Sequence, residues 1–285
     1  MVSEAFETSD GVTLRYAEQG AGAPLLLLHG WSQTSEQFSR QVDTLSEGFR
    51  VITYDQRGHG DSDRPDHGYR IHRLAADLRE LLLGLDLEDL TILGHSMGCS
   101  VIWAYLDLYG TDRLSRLILV DQPPCLTRNE AWDEKVKAAT GALFTPDSAM
   151  ALCNSLERDE DGSVSDGLMA AMLTPQCPDD IGAWMMACNR RMERRHAAEL
   201  MRNHASLDWR DVIARIRLPT LVIGAHASLA PATCMPWVAS QIPGSRLEMF
   251  GAEEGGSHFM FVENPGRFNA VVLDFLGGRG PTTRN

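Results

Sequence analysis

The 285 residues are 44% hydrophobic and 23% charged, the balance of a globular protein large enough to bury its core without disulfide or metal staples. A formal net charge of −13 leaves no basic surplus to neutralise phosphates, so neither a nucleic-acid nor an anionic-membrane partner is expected. Six cysteines (Cys99, Cys125, Cys153, Cys177, Cys188, Cys234) are scattered without paired spacing and are expected to be reduced and mostly structural.

Met1-Val2-Ser3-Glu4-Ala5 has neither a basic n-region nor an apolar h-region, and no apolar run approaches bilayer length; a cytoplasmic location is expected. Residues 5–9 and 12–18 flank Asp10-Gly11, a turn dipeptide that predicts a hairpin. The continuous apolar run Leu25-Leu26-Leu27-Leu28 suits a strand buried on both faces of a parallel sheet and ends in His29-Gly30. The pattern repeats over 50–54, closed by the polar loop Asp55-Gln56-Arg57-Gly58-His59-Gly60.

Leu74, Leu78, Leu81, Leu82 and Leu85 recur at helical spacing. A strand over 90–93 then runs into Gly94-His95-Ser96-Met97-Gly98, followed by a helix over 99–108 and a strand over 117–120 that ends at Asp121. Strands alternating with helices predict an α/β fold with a parallel sheet and right-handed crossovers. Between 123 and 206 the alternation stops, giving helical patches rich in methionine and alanine; strands resume over 219–224 and 246–250, and a last helix spans about 264–275. The expected organisation is a core of 1–124 and 207–285 with a helical lid inserted over 125–206. The basic cluster 190–195 reads as a solvated helix face.

Gly94-His95-Ser96-Met97-Gly98 matches G-x-S-x-G, in which a serine sits on a sharp strand-to-helix turn and is lifted clear of the sheet. The flanking glycines let strand and helix nearly touch. A serine hydroxyl needs a base to remove its proton. Of the nine histidines, His258, in Gly255-Gly256-Ser257-His258-Phe259, lies after the last strand and before the last helix, on the sheet edge that also carries Ser96. The others are read as backbone-shaping, surface or packing residues, His204 among the last two classes, apart from a binding candidate after the 219–224 strand.

His29-Gly30-Trp31, Asp55-Gln56-Arg57-Gly58-His59-Gly60-Asp61-Ser62, Gly94-His95-Ser96-Met97-Gly98 and Gly256-Ser257-His258-Phe259 together resemble the α/β-hydrolase superfamily. The likeness covers nearly the whole chain outside the insertion. It is closest to the branch of esterases, enol-lactone hydrolases, carbon–carbon bond hydrolases and cofactor-free haloperoxidases (perhydrolases). The resemblance implies an α/β-hydrolase fold, a mostly parallel twisted sheet with an inserted helical lid, and an acid three residues past Gly224. That position holds Ala227, and Ser228 cannot replace a carboxylate. A second arrangement in the superfamily carries the acid one strand earlier, which here is Asp121; Glu253 and Glu254 are weaker alternatives. By the same resemblance the backbone N–H groups of Trp31 and Met97 form an oxyanion hole. Trp31, His29 and Trp184 are the candidate substrate-binding residues, and the lid methionines suggest an apolar pocket.

The favoured function is hydrolysis of a carboxylic ester, lactone or thioester of a small to medium apolar substrate, with Ser96, His258 and Asp121 acting through an acyl-enzyme. Serine in the elbow disfavours aspartate-nucleophile activities. Carbon–carbon hydrolysis or perhydrolysis would use the same triad. From other classes, a cofactor-independent oxygenase or cyclase would use the His258–Asp121 dyad as base, and a ligand receptor would keep the triad as a pocket. No cluster has zinc-ligand spacing and no phosphate-binding glycine loop follows the first strands, so no metal or cofactor is expected.

Overall fold

Apolar runs become strands because a sheet covered on both faces buries every side chain, whichever way it points. The computed structural model describes residues 3–277. Its strands are β1 (Ser3–Glu7), β2 (Thr13–Gln19), β3 (Pro24–Leu28), β4 (Arg50–Asp55), β5 (Leu90–His95), β6 (Leu114–Val120), β7 (Thr220–Ala225) and β8 (Arg246–Phe250). They form one eight-stranded sheet in the order β1-β2-β4-β3-β5-β6-β7-β8. The β1–β2 and β2–β4 pairs are antiparallel, and all later pairs are parallel. This is the α/β-hydrolase fold.

Helices connect the strands: α1 (Ser39–Leu45), α2 (Ile71–Gly84), α3 (Met97–Tyr109), α4 (Glu134–Thr140), α5 (Pro146–Glu157), α6 (Ser163–Ala170), α7 (Asp179–Asn189), α8 (Arg194–Ala205), α9 (Arg210–Arg215), α10 (Cys234–Gln241), α11 (Met260–Glu263) and α12 (Pro265–Leu276). Strand alternation sorts the core into two layers. Leu26 and Leu28 join the cluster that holds α2, α3 and α8 residues, while Leu25 and Leu27 join the one with Phe38, Phe261 and Phe268. Between β6 and β7 every regular element is helical. Local chemistry starts these helices: Asp133 caps α4, and Thr145 and Ser148 form a capping box on α5 with Pro146 at its first position.

The basic cluster is not one solvated face. It straddles the break between α7 and α8. Arg190, Arg191 and Arg195 pair with Asp166, Glu36 and Asp61, and Asp66, whereas Arg194 is partly buried and donates to Ser32 Oγ at 2.9 Å. Burial lowers its pKa. All six cysteines are free thiols, and no described helix is long and apolar enough to cross a membrane.

Arg57 ties the loop after β4 to α2 and to the β1–β2 turn. Its guanidinium is fully buried, donating to both Asp77 oxygens at 2.8 Å and to Asp10 at 2.9 Å. The Arg57 hydrogen bond is the main cause holding the Asp10 carboxyl well below its ordinary value. Arg57→Met, which leaves Asp77 short of its buried partner, should cost about 3–5 kcal/mol in urea unfolding. The depressed Asp10 pKa makes its share of stability fully present above the unfolded value of 3.8 and lost as pH falls below it. The gap between wild type and variant should therefore shrink in acid; a constant gap from pH 7 to pH 3 would show that Asp10 is not coupled.

Candidate active site

The β5–α3 turn is held by close packing. A Cβ on Gly94 would lie 2.7 Å from the Gly98 carbonyl carbon, and one on Gly98 would lie 2.5 Å from the Leu28 carbonyl oxygen. Ser96, between them, adopts φ 54° and ψ −126°, a conformation that L-residues hold only when their surroundings impose it. Its N–H donates to Val120 O at 2.8 Å. The side chain is partly exposed, unlike its buried neighbours His95 and Met97.

Sheet order brings the other groups to this edge. β6 lies beside β5 with His95 level with Val120, so Ser96 and Asp121 each follow one residue past the ends of adjacent parallel strands. Asp121 also has positive φ, 51°, which an aspartate tolerates, and its N–H donates to Ile223 O of β7 at 2.9 Å. His258 enters from the loop after β8. Gly256 there has no room for a side chain, since a Cβ would meet both Gly251 O and Phe250 O at 2.4 Å. Within this frame His258 Nδ1 and Asp121 Oδ2 are 2.7 Å apart, with Asp121 1% and His258 8% exposed.

Ala227 faces the same loop through its N–H, which donates to Gly256 O at 2.9 Å. The next residue, Ser228, donates its hydroxyl to Asp121 Oδ2, the oxygen that meets His258. Ser228, no carboxylate itself, is thus the partner of one, a role that its sequence position does not signal. Glu253 and Glu254 are exposed, and Glu254 pairs with Arg267.

Ser96, His258, Gly30 and Trp31 line one narrow cavity of about 60 Å³. Its walls are otherwise mainly apolar, with Leu126, Phe144, Met169, Met172 and Met201 supplied by the helical segment, and no acidic or basic carboxylate, ammonium or guanidinium group lines it. Among the described residues, neither the Trp31 N–H nor the Met97 N–H donates to a protein acceptor. No hydrogen bond joins Ser96 to His258; such contacts often tighten only when substrate binds.

Two expected binding residues lie elsewhere. His29 is fully buried outside the cavity wall, with Nε2 accepting the Gln56 N–H at 3.0 Å and Nδ1 2.8 Å from Gly30 O; burial lowers its pKa. It shapes the β3 loop. Trp184 lines a separate surface depression with Ser35 and Glu36, because α7 turns that face away from the cavity. Trp31 does reach the cavity, and its indole N–H donates to Ala197 O at 2.8 Å. His95 is buried with Nε2 2.9 Å from the His258 carbonyl, and burial keeps its imidazole neutral by pushing the pKa well down. His204, read as a surface or packing residue, lines the cavity, as do Gln33 and Gln122. None of the three carries a sequence signal beyond the three-residue step from Met201 to His204.

A family model of the α/β-hydrolase fold matches residues 23–265. The chain belongs to the α/β-hydrolase family. It is 28% identical to a non-heme chloroperoxidase of Kitasatospora aureofaciens, over 94% of this chain and 98% of that one. Its structure resembles an esterase from Exiguobacterium antarcticum, with a TM-score of 0.88 and 26% identity over 97% of this chain and all of that one (100%). The enol-lactonase of Burkholderia xenovorans LB400 shares the fold, with a TM-score of 0.83 at 22% identity over 96% of this chain and 100% of that one. The chain is accordingly an enzyme of the hydrolase class.

The close approach at the turn has a measurable consequence. Gly98→Ala must push α3 off the Leu28 carbonyl and should lower stability by about 1–3 kcal/mol, read from thermal unfolding by circular dichroism. An unchanged melting temperature would show that the 2.5 Å approach does not constrain the turn.

Proposed function

We propose that the protein hydrolyses an uncharged, apolar carboxylic ester, lactone or thioester through an acyl-enzyme on Ser96. The observation that carries this reading is the 2.7 Å contact between Asp121 Oδ2 and His258 Nδ1, with His258 and Ser96 lining the same cavity. The carboxylate fixes the proton on Nδ1, leaving Nε2 free as a base. Ser96 Oγ attacks the carbonyl carbon while Nε2 takes its proton, and the oxyanion is met by the unused N–H groups of Trp31 and Met97. The proton on Nε2 passes to the leaving alcohol or thiol. Water, deprotonated by the same nitrogen, then releases the acid and restores the serine hydroxyl.

The helical segment serves as a lid. Hydrogen bonds dock it on the loop after β3, from Trp31 Nε1 to Ala197 O and from Ser32 Oγ to Asn189 O at 2.9 Å, and the His258 N–H donates to Met172 O at 3.2 Å. A cavity near 60 Å³ is well under the ~150 Å³ that accepts a benzene ring. Methionine side chains, the most adaptable apolar groups, must therefore shift to admit substrate, and short acyl chains fit best. The relatives' names favour one second reading: with hydrogen peroxide in place of water, the same acyl-enzyme yields a peracid.

Ser96→Ala should remove nearly all turnover of short-chain p-nitrophenyl esters and all labelling by a fluorophosphonate. Asp121→Asn should lower kcat by on the order of 10³ or more, because asparagine favours the wrong tautomer, with little change in melting temperature. Adding Ala227→Asp to that variant should restore part of the rate by supplying a carboxylate from the β7 loop. Retained wild-type turnover in Ser96→Ala contradicts covalent catalysis; retained turnover in Asp121→Asn contradicts the assigned acid.

A further inference from the structure

The apolar cavity contains a polar group that the hydrolytic reading does not use. His204 lies on α8, three residues after Met201, so both project from one helix face, and both line the cavity. The imidazole is 3% exposed. Its Nδ1 is buried without a partner. Burial alone drives its pKa down to about 3, so the ring is neutral at any working pH. One nitrogen of a neutral imidazole donates and the other accepts.

An unsatisfied buried polar group costs about 1–3 kcal/mol, which leucine in the same place would avoid. Packing therefore does not explain histidine here. A ligand would: a hydroxyl or carbonyl reaching His204 would pair with the ring, and no carboxylate, ammonium or guanidinium group in the cavity wall competes for it.

We propose that His204 is a specificity-determining residue, and that the substrate is an apolar ester or lactone carrying a second, uncharged oxygen function, a hydroxyl or a ketone, which hydrogen-bonds the imidazole. This rests on the hydrolytic reading of the same cavity. The substrate class narrows accordingly: plain alkyl esters leave the ring unpaired, and substrates with a free carboxylate or ammonium group bring a charge that nothing in the cavity neutralises.

The test uses matched ester pairs that differ by one hydroxyl or ketone, placed on the acyl side (p-nitrophenyl butanoate against 3-hydroxybutanoate, pentanoate against 4-oxopentanoate) and on the alcohol side. Wild type should favour the oxygenated member of at least one pair. In His204→Leu that preference in kcat/KM should fall by about tenfold, the weight of one neutral hydrogen bond. His204→Gln, which keeps a donor and an acceptor, should retain part of it. The leucine variant should melt at or above the wild-type temperature, a change that a purely structural histidine would reverse. Binding of the same pairs to Ser96→Ala, with and without His204→Leu, gives the comparison without turnover. Absence of turnover of every ester by wild type would defeat the hydrolytic reading alone. A ratio unchanged within about twofold in both variants, in turnover and in binding, would overturn the role of His204.

Discussion

A buried imidazole keeps one tautomer only if something holds the proton on its far nitrogen, and here that group is the carboxylate of Asp121. The contact depends on sheet order. β6 runs between the strand that carries Ser96 and the strand whose loop carries Ala227, so a residue at its end sits within reach of the loop after β8. Asp121, at positive φ, meets His258 of that loop through Oδ2, and the Ser228 hydroxyl donates to the same oxygen. On the proposed reading, these two side chains take over what one carboxylate at residue 227 would do, because the imidazole needs an acceptor on Nδ1 and is indifferent to which strand provides it.

The second constraint is enclosure. The segment between β6 and β7 supplies most of the apolar wall, and the loop after β3 receives it through Trp31, Ser32 and Gln33. Excluding water strengthens every hydrogen bond inside the site. The same exclusion makes each unpaired polar atom costly, which is why an unpaired imidazole on α8 is informative and an unpaired leucine would not be. Near the anchor points the wall is hydrogen-bonded and specific; over the cavity it is methionine and leucine, able to repack. That division suits the proposed lid, which would open for substrate and return to one register.

The strands were legible because runs such as Leu25-Leu26-Leu27-Leu28 have no other economical burial, and the turn at Ser96 because glycines at 94 and 98 leave few alternatives. The hairpin at Asp10-Gly11 followed from its turn chemistry. α1 and α10 went unread: α1 is a short helix entered from a 3₁₀ turn, and α10 has Pro236 inside it, so neither shows a long apolar period. His29 and Trp184 were drawn toward the cavity by proximity in sequence or by residue type, but which way a side chain faces depends on the tertiary docking of its loop or helix. The same limit hid Ser228 and His204, whose neighbours are set by how the β7 loop and α8 dock.

The proposed chemistry stands on one covalent bond. The most direct measurement is acid-quenched turnover of p-nitrophenyl butanoate followed by mass spectrometry of the digested protein. The account predicts a single butanoyl group, carried by the peptide that contains Ser96 and absent in Ser96→Ala. Steady release of nitrophenol with no acyl group on that peptide at any quench time, or an acyl group on a different side chain, would contradict it.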